Sequence, residues 1–211
     1  MSKSKSSIID TLIIGSGLAG LSAANDLSDA GAKVIIVDKG RGVGGRLAVR
    51  RIGEAVFDHG AQFFTARSNR FIDCVAQWVQ SGVAEQWYQS YPGQPNGHPR
   101  YRGKPNMASI AKHLAKNQII MQSNRAESLS HDGHYWTVKL ESEESIIARS
   151  IVITSPVPQT LDLLEQADIH LSSSITERLQ KIQYESCIAV MAVLDGPTCL
   201  EDPGALALDQ G

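Results

Sequence analysis

"IIDTLIIGSGLAG", Ile8 to Gly20, decides the fold. Ile8 to Gly15 is a short run rich in β-branched residues, suited to a strand buried on both faces. It leads directly into Gly15-Ser16-Gly17-Leu18-Ala19-Gly20, a G-x-G-x-x-G. The spacing predicts a helix next, with Leu21, Ala24 and Leu27 on one stripe and Gly31 at its stop. "AKVIIVD", Ala32 to Asp38, then reads as a second buried strand ending in an acid. Each glycine suits a dinucleotide turn. Gly15 allows the tight exit from the strand, Gly17 lets the backbone approach a diphosphate, and Gly20 lets helix and sheet pack closely. Backbone N–H groups at the start of the helix face the phosphates, and Asp38 is placed to accept from a ribose diol.

The residues after Asp38 separate two kinds of cofactor. In a nicotinamide dehydrogenase the second-strand acid usually leads straight to the next crossover. Here Lys39-Gly40-Arg41-Gly42-Val43-Gly44-Gly45-Arg46 intervenes, with four glycines and three cations. Such a loop can lie against an extended ligand while Arg46 offers a bidentate fork to phosphate oxygens. That argues against a plain NAD-dependent dehydrogenase.

Bulk properties bound the remaining choices. Of 211 residues, 42% are hydrophobic and 20% charged, a globular composition. Twenty basic residues against 22 acidic give a net charge of −2, which supplies no pull toward nucleic acid or an anionic membrane. Cys74, Cys187 and Cys199 have no paired spacing and read as reduced thiols, so a cytoplasmic protein is expected. The lysines before Ile8 imitate a secretory signal, but Asp10 and the glycines interrupt the apolar run.

Further along, Ser68 or Asn69 can cap a helix with Phe71, Val75, Trp78 and Val79 on one face, which makes Trp78 a core residue. Tyr91 to Asn106 is rich in Pro and Gly and reads as loop or hairpin. Ile119–Met121, Arg125–Leu129, Tyr135–Leu140 and Ile146–Thr154 read as strands, with a turn at His131-Asp132-Gly133-His134. The two histidines of that turn lack a third ligand, so no metal site is assigned. A helix is expected from Ser172, and "IAVMAVLDG" (Ile188 to Gly196) is expected to be a strand of a second sheet.

The run Gly15 to Gly20, "DKGRGVGGR", "FDHGAQFFTARSNRF", "GKPNMASIAKHLA" (Gly103 to Ala115) and "VITSPVPQTLDLL" (Val152 to Leu164) together resemble the FAD-dependent amine-oxidase superfamily. Within it they are most similar to bacterial renalase-like NAD(P)/FAD-dependent oxidoreductases. The resemblance implies an α/β fold: a Rossmann-like FAD-binding domain with a parallel sheet, flanking helices and a β-meander, joined to part of an α+β substrate domain. The expected division is 1–70 and 104–165 for FAD, with 71–103 and 166–211 for an incomplete substrate domain.

The resemblance also implies a site. Gly15, Gly17, Ala19 and Gly20 would line the FAD diphosphate, which Arg46 would pair with. Asp38 and Lys39 would address the adenosine ribose. Gly60, Ala61, Gln62 and Phe63 would lie beside the flavin ring, and Arg125 and Ala126 would meet the adenine through backbone groups. Thr154-Ser155-Pro156 resembles a strand-end turn back to the cofactor. No catalytic residue is assigned; His59 stands where relatives are expected to carry an apolar residue. The implied activity is oxidation of dihydro isomers of NAD(P) by hydride transfer to flavin, with O2 as acceptor. An amine or another small substrate, and an inactive remnant, remain as alternatives. Relatives are expected to continue past Gly211 with further FAD and substrate contacts, so the chain is expected to be a fragment, a truncated gene product or one piece of something larger, which alone binds FAD weakly or not at all and has little turnover.

Overall fold

The computed structural model describes residues 8–89 and 97–206. The signal-like lysines, and Tyr91 to Asn96 of the Pro/Gly-rich stretch, lie outside those residues. In chain order the elements are β1 (Ile9–Ile14), α1 (Leu18–Asp29), β2 (Val34–Val37), β3 (Arg50–Ile52) and β4 (Ala55–Phe57). Then come α2 (Asn69–Gln80), β5 (Ala84–Tyr88), β6 (Arg100–Gly103), α3 (Ala108–Leu114), β7 (Ile120–Met121), β8 (Ala126–His131) and β9 (Trp136–Leu140). β10 (Ser145–Ile153), α4 (Val157–Gln166) and α5 (Ser173–Gln180) complete the series. These divide into two units, 1–45 with 114–187, and 46–113 with 188–211.

The first unit is built on a six-stranded sheet in the order β7-β2-β1-β10-β9-β8. β7, β2, β1 and β10 run parallel, and β9 and β8 complete it as an antiparallel meander. The apolar runs explain the centre. Leu12, Ile13 and Ile36 are fully buried, so β1 and β2 have little need of an alternating pattern. Each such side chain contributes about 1.5–3 kcal/mol on leaving water. Leu12, Val37, Leu129, Val138, Leu140, Ala148 and Leu163 form one continuous core. α1 turns Leu21 and Ala24 inward, ends at Ala30, and passes into β2 through Gly31 at φ +86°, the left-handed geometry its position predicts. Gly133, at φ +97°, makes the turn between β8 and β9.

The second unit gathers its core from aromatic residues. Ser68 caps α2 by accepting from the Phe71 amide. Val75 and Trp78 face inward, with Trp78 only 4% exposed, while Val79 lies outward. Phe64, Phe71, Trp78 and Tyr101 form a ring cluster with centroids 5.8–6.0 Å apart. β5 and β6 pair antiparallel, as do β3 and β4. Phe64 and Tyr101 exchange two backbone hydrogen bonds of 2.9 Å, tying the segment after β4 to β6.

The expected strand at Ile188 to Gly196 is not formed. Among the described residues this run has no ladder partner, and Ile188 and Val190 are each 89% exposed. Its apolar β-branched composition suits a strand, but a strand needs a neighbour to receive its backbone groups.

Candidate functional site

The expected cofactor contacts fall into two sets. Gly15, Gly17, Ala19, Gly20, Asp38, Lys39, Arg125 and Ala126 lie in the first unit; Arg46, Gly60, Ala61, Gln62 and Phe63 lie in the second.

In the first unit the G-x-G turn leaves β1 at Gly15, φ +110°, and Gly17 caps α1 in extended conformation at φ −73°. The two other glycine roles separate cleanly. A Cβ on Gly20 would run into the Gly15 carbonyl and come within 2.9 Å of Thr154 Oγ1. Among the described residues, a Cβ on Gly17 would meet nothing within 4 Å. Gly20 is therefore demanded by packing, while the open side of Gly17 has no partner in the protein's own packing. Gly44 lies beside it: its amide donates to the Ser16 carbonyl at 2.9 Å, and Gly17 and Gly44 form an isolated parallel bridge. The second glycine pair thus lies against the first.

Asp38 stands at the end of β2, half-buried, at the meeting of three loops. Its Oδ2 accepts from the Ser16 amide at 2.5 Å and from Ser16 Oγ at 2.7 Å; its Oδ1 accepts from the Gly40 amide at 2.6 Å. The backbone of the same stretch is held by the loop before β8. Asp38 donates to Met121, its carbonyl accepts from Asn124 at 2.9 Å, and Gly40 accepts from Ser123 at 2.8 Å. Buried Asn124 exchanges hydrogen bonds with Ser142, which anchors that loop to the meander. Arg125 follows immediately, its carbonyl taken by the Glu141 amide at 2.8 Å, and Ala126 pairs with Leu140. Lys39 Nζ reaches Gln159 Oε1 at 3.3 Å. Thr154 closes the turn by donating to the Ile14 and Gly15 carbonyls. Ser16 and Asn124 are the residues sequence reasoning passed over. A hydroxyl at the x of G-x-G, next to a second-strand acid, was the available signal for Ser16; Asn124 offered none.

In the second unit, Arg46 is exposed, and its carbonyl accepts from the Ala61 amide at 2.9 Å. A Cβ on Gly60 would strike that same carbonyl, so the Gly60-Ala61 turn packs on the Arg46 backbone while the guanidinium stays outside. Phe63 sits edge-on to Trp87 and Tyr88, and the Arg100 guanidinium lies 5.4 Å from its ring centroid. Gln62 is exposed at the rim of a cavity of about 270 Å³, lined also by Asp58, His59, Trp87, Arg102 and Val190.

Asp58 links the two narrower motifs. Its Oδ1 accepts from the Met107 amide at 2.9 Å, so "FDHGAQ" and "GKPNM" are bound to one another. Burial pushes its carboxyl above the ordinary range, against the opposing pull of the Met107 N–H, Arg102 and His59. Arg102 is itself held by Glu85 at 2.9 Å and lies over the Trp87 ring at 5.2 Å. The hydrogen bonds from Lys104 and Arg102 hold Glu85 below its usual range. Among the described residues no group of three or more His, Cys, Asp or Glu is placed to hold a metal.

A parallel-rich sheet flanked by helices, with a glycine turn opening onto the first helix, defines a Rossmann-like α/β fold. Residues 13–78 match the NAD(P)-binding Rossmann-like domain family. Among solved structures, an engineered putrescine oxidase aligns over 82% of this chain at 13% identity and a TM-score of 0.66. Wild-type putrescine oxidase bound to putrescine aligns over the same share at 13% identity and 0.64. A protein from Exiguobacterium sp. 255-15 assigned as a protoporphyrinogen oxidase aligns over 83% at 12% identity and 0.64. The chain covers 63% of the two putrescine oxidase chains and 64% of the third. The likeness is one of fold. No helix among the described residues is long and apolar enough to cross a membrane.

Proposed function

We propose that the chain serves an FAD-dependent oxidoreductase of the renalase-like kind, which oxidises dihydro isomers of NAD(P) with O2 as electron acceptor in the cytoplasm. One observation carries the reading: the open side of Gly17, bridged to Gly44 and next to Ser16, whose amide donates to the acid that follows β2. A cradle that a single Cβ would begin to fill, at a helix N-terminus, suits a diphosphate. Gly15, Gly17, Ala19 and Gly20 would hold that diphosphate and Asp38 a ribose hydroxyl, with Lys39, Arg125 and Ala126 around the adenosine. Arg46 would offer its fork to the phosphate oxygens, a role its exposed side chain leaves open. Gly60, Ala61, Gln62 and Phe63 would lie by the flavin ring. Residues 1–70 and 104–165 would form the FAD-binding domain, with 71–103 and 166–211 contributing to substrate binding.

Bound flavin supplies the hydride acceptor and the route of electrons to O2; the protein's own part is to bind, orient and exclude water. FAD titration of the purified chain, read by flavin fluorescence, tests the first half. Peroxide release from dihydro-NAD(P) isomers, set against a panel of amines, tests the second. A chain that leaves both FAD and ADP free at millimolar concentration refutes the reading. Turnover of amines alone assigns the substrate elsewhere.

A further inference from the structure

Asp38 has less capacity for a ligand than its position suggests. An ionised carboxylate offers about four lone-pair directions, two on each oxygen. Three are taken within the protein, by the Ser16 amide, the Ser16 hydroxyl and the Gly40 amide. Both Ser16 bonds fall on Oδ2, which among the described residues leaves one direction, on Oδ1. Ser16 is fully buried, 0% exposed, so its hydroxyl cannot itself meet a ligand. The Gly40 amide is also fixed, because the Gly40 carbonyl is held by Ser123.

Resting on the dinucleotide reading above, we propose that Ser16 is a positioning residue that makes Asp38 an acceptor for one ribose hydroxyl rather than for the diol. A carboxylate with both oxygens open would accept both hydroxyls, one per oxygen. Here the buried serine saturates the inner oxygen and fixes the plane of the carboxyl. Only the outer oxygen remains to read the sugar.

The test compares ADP, 2′-deoxy-ADP and 3′-deoxy-ADP on the full chain, by calorimetry or ligand-observed NMR. In the wild type, removing one of the two hydroxyls weakens binding about tenfold and removing the other changes it less than about twofold. In Ser16→Ala the Ser16 amide keeps its bond, but the carboxyl loses the hydroxyl that fixes its plane and can turn to present Oδ2 to the sugar as well. Both deoxy analogues then bind several-fold more weakly than ADP. Ser16→Gly, which keeps the G-x-G character, repeats the pattern if Ser16→Ala fails to fold. A serine that only fills space would shift all three ligands together and leave the hydroxyl pattern untouched. Equal losses for both deoxy analogues in the wild type overturn the inference, as does a single-hydroxyl pattern that survives Ser16→Ala. A wild-type chain that ignores ADP overturns the dinucleotide reading itself, and the inference with it.

Discussion

Two glycines three residues apart make a decisive pair for mutation, because the structure asks opposite things of them. In Gly17→Ala the new methyl enters open space, with no atom of the described residues within 4 Å. The backbone at φ −73° suits alanine. Losing glycine at a helix N-cap costs several tenths of a kcal/mol, and stiffening the unfolded chain returns a similar amount, so net stability changes by less than about 1 kcal/mol. In Gly20→Ala the methyl meets the Gly15 carbonyl and Thr154 Oγ1. The first is backbone of a buried turn and cannot swing aside. Overpacking of this sort costs about 3 kcal/mol, at the upper end of its usual range. Thermal unfolding followed by circular dichroism then separates them, with Gly20→Ala melting roughly 6–12 °C below the wild type and Gly17→Ala within a few degrees. ADP titration gives the reverse contrast for the stable variant. A methyl at Gly17 holds phosphate oxygens off the helix amides and weakens ADP about tenfold or more, the loss of one charge-assisted bond. A Gly17→Ala chain that unfolds as early as Gly20→Ala, or that keeps full ADP affinity, refutes the reasoning.

Other outcomes follow from the same geometry. Trp78→Ala, which empties the centre of the aromatic cluster, destabilises the second unit by about 3–5 kcal/mol in urea unfolding. Asp58 has a carboxyl raised by burial, so the folded state holds its proton more tightly than the unfolded state. Stability therefore falls as pH rises from the ordinary aspartate value through the raised one. Asp58→Asn keeps an oxygen for the Met107 amide and removes that slope; urea unfolding between about pH 4 and pH 7 shows whether it does. Val190→Ser, on a side chain 89% exposed, changes stability by no more than about 0.5 kcal/mol.

The first βαβ unit could be read from the chain because local signals agree there: buried apolar runs, a glycine turn, a helix stripe and Gly31 at the helix stop. α2 was legible for a similar reason, Ser68 and the Val75–Trp78 stripe pointing to the same boundary and the same inner face. What stayed hidden depends on partners distant in sequence. Nothing near Asp58 announces that its carboxylate will receive the amide of Met107, 49 residues on. Asp38 read as an acid waiting for a ligand; the fold gives three of its four acceptor directions to the protein. The run Ile188–Gly196 shows the limit most plainly, since composition can specify a preference for extended backbone but not the neighbour that would make it a strand.

The place of β10 in the sheet has a consequence for synthesis on the ribosome. It lies between β1 and β9, and Ile9 aligns with Ala148. At about 5–20 residues per second, β1 leaves the ribosome roughly seven to thirty seconds before the strand that will cover its second edge. During that wait a flat, oily ribbon stands half-zipped, able to stick to other nascent chains. Slow translation would lengthen the exposure, and a holding chaperone would find its handle at β1.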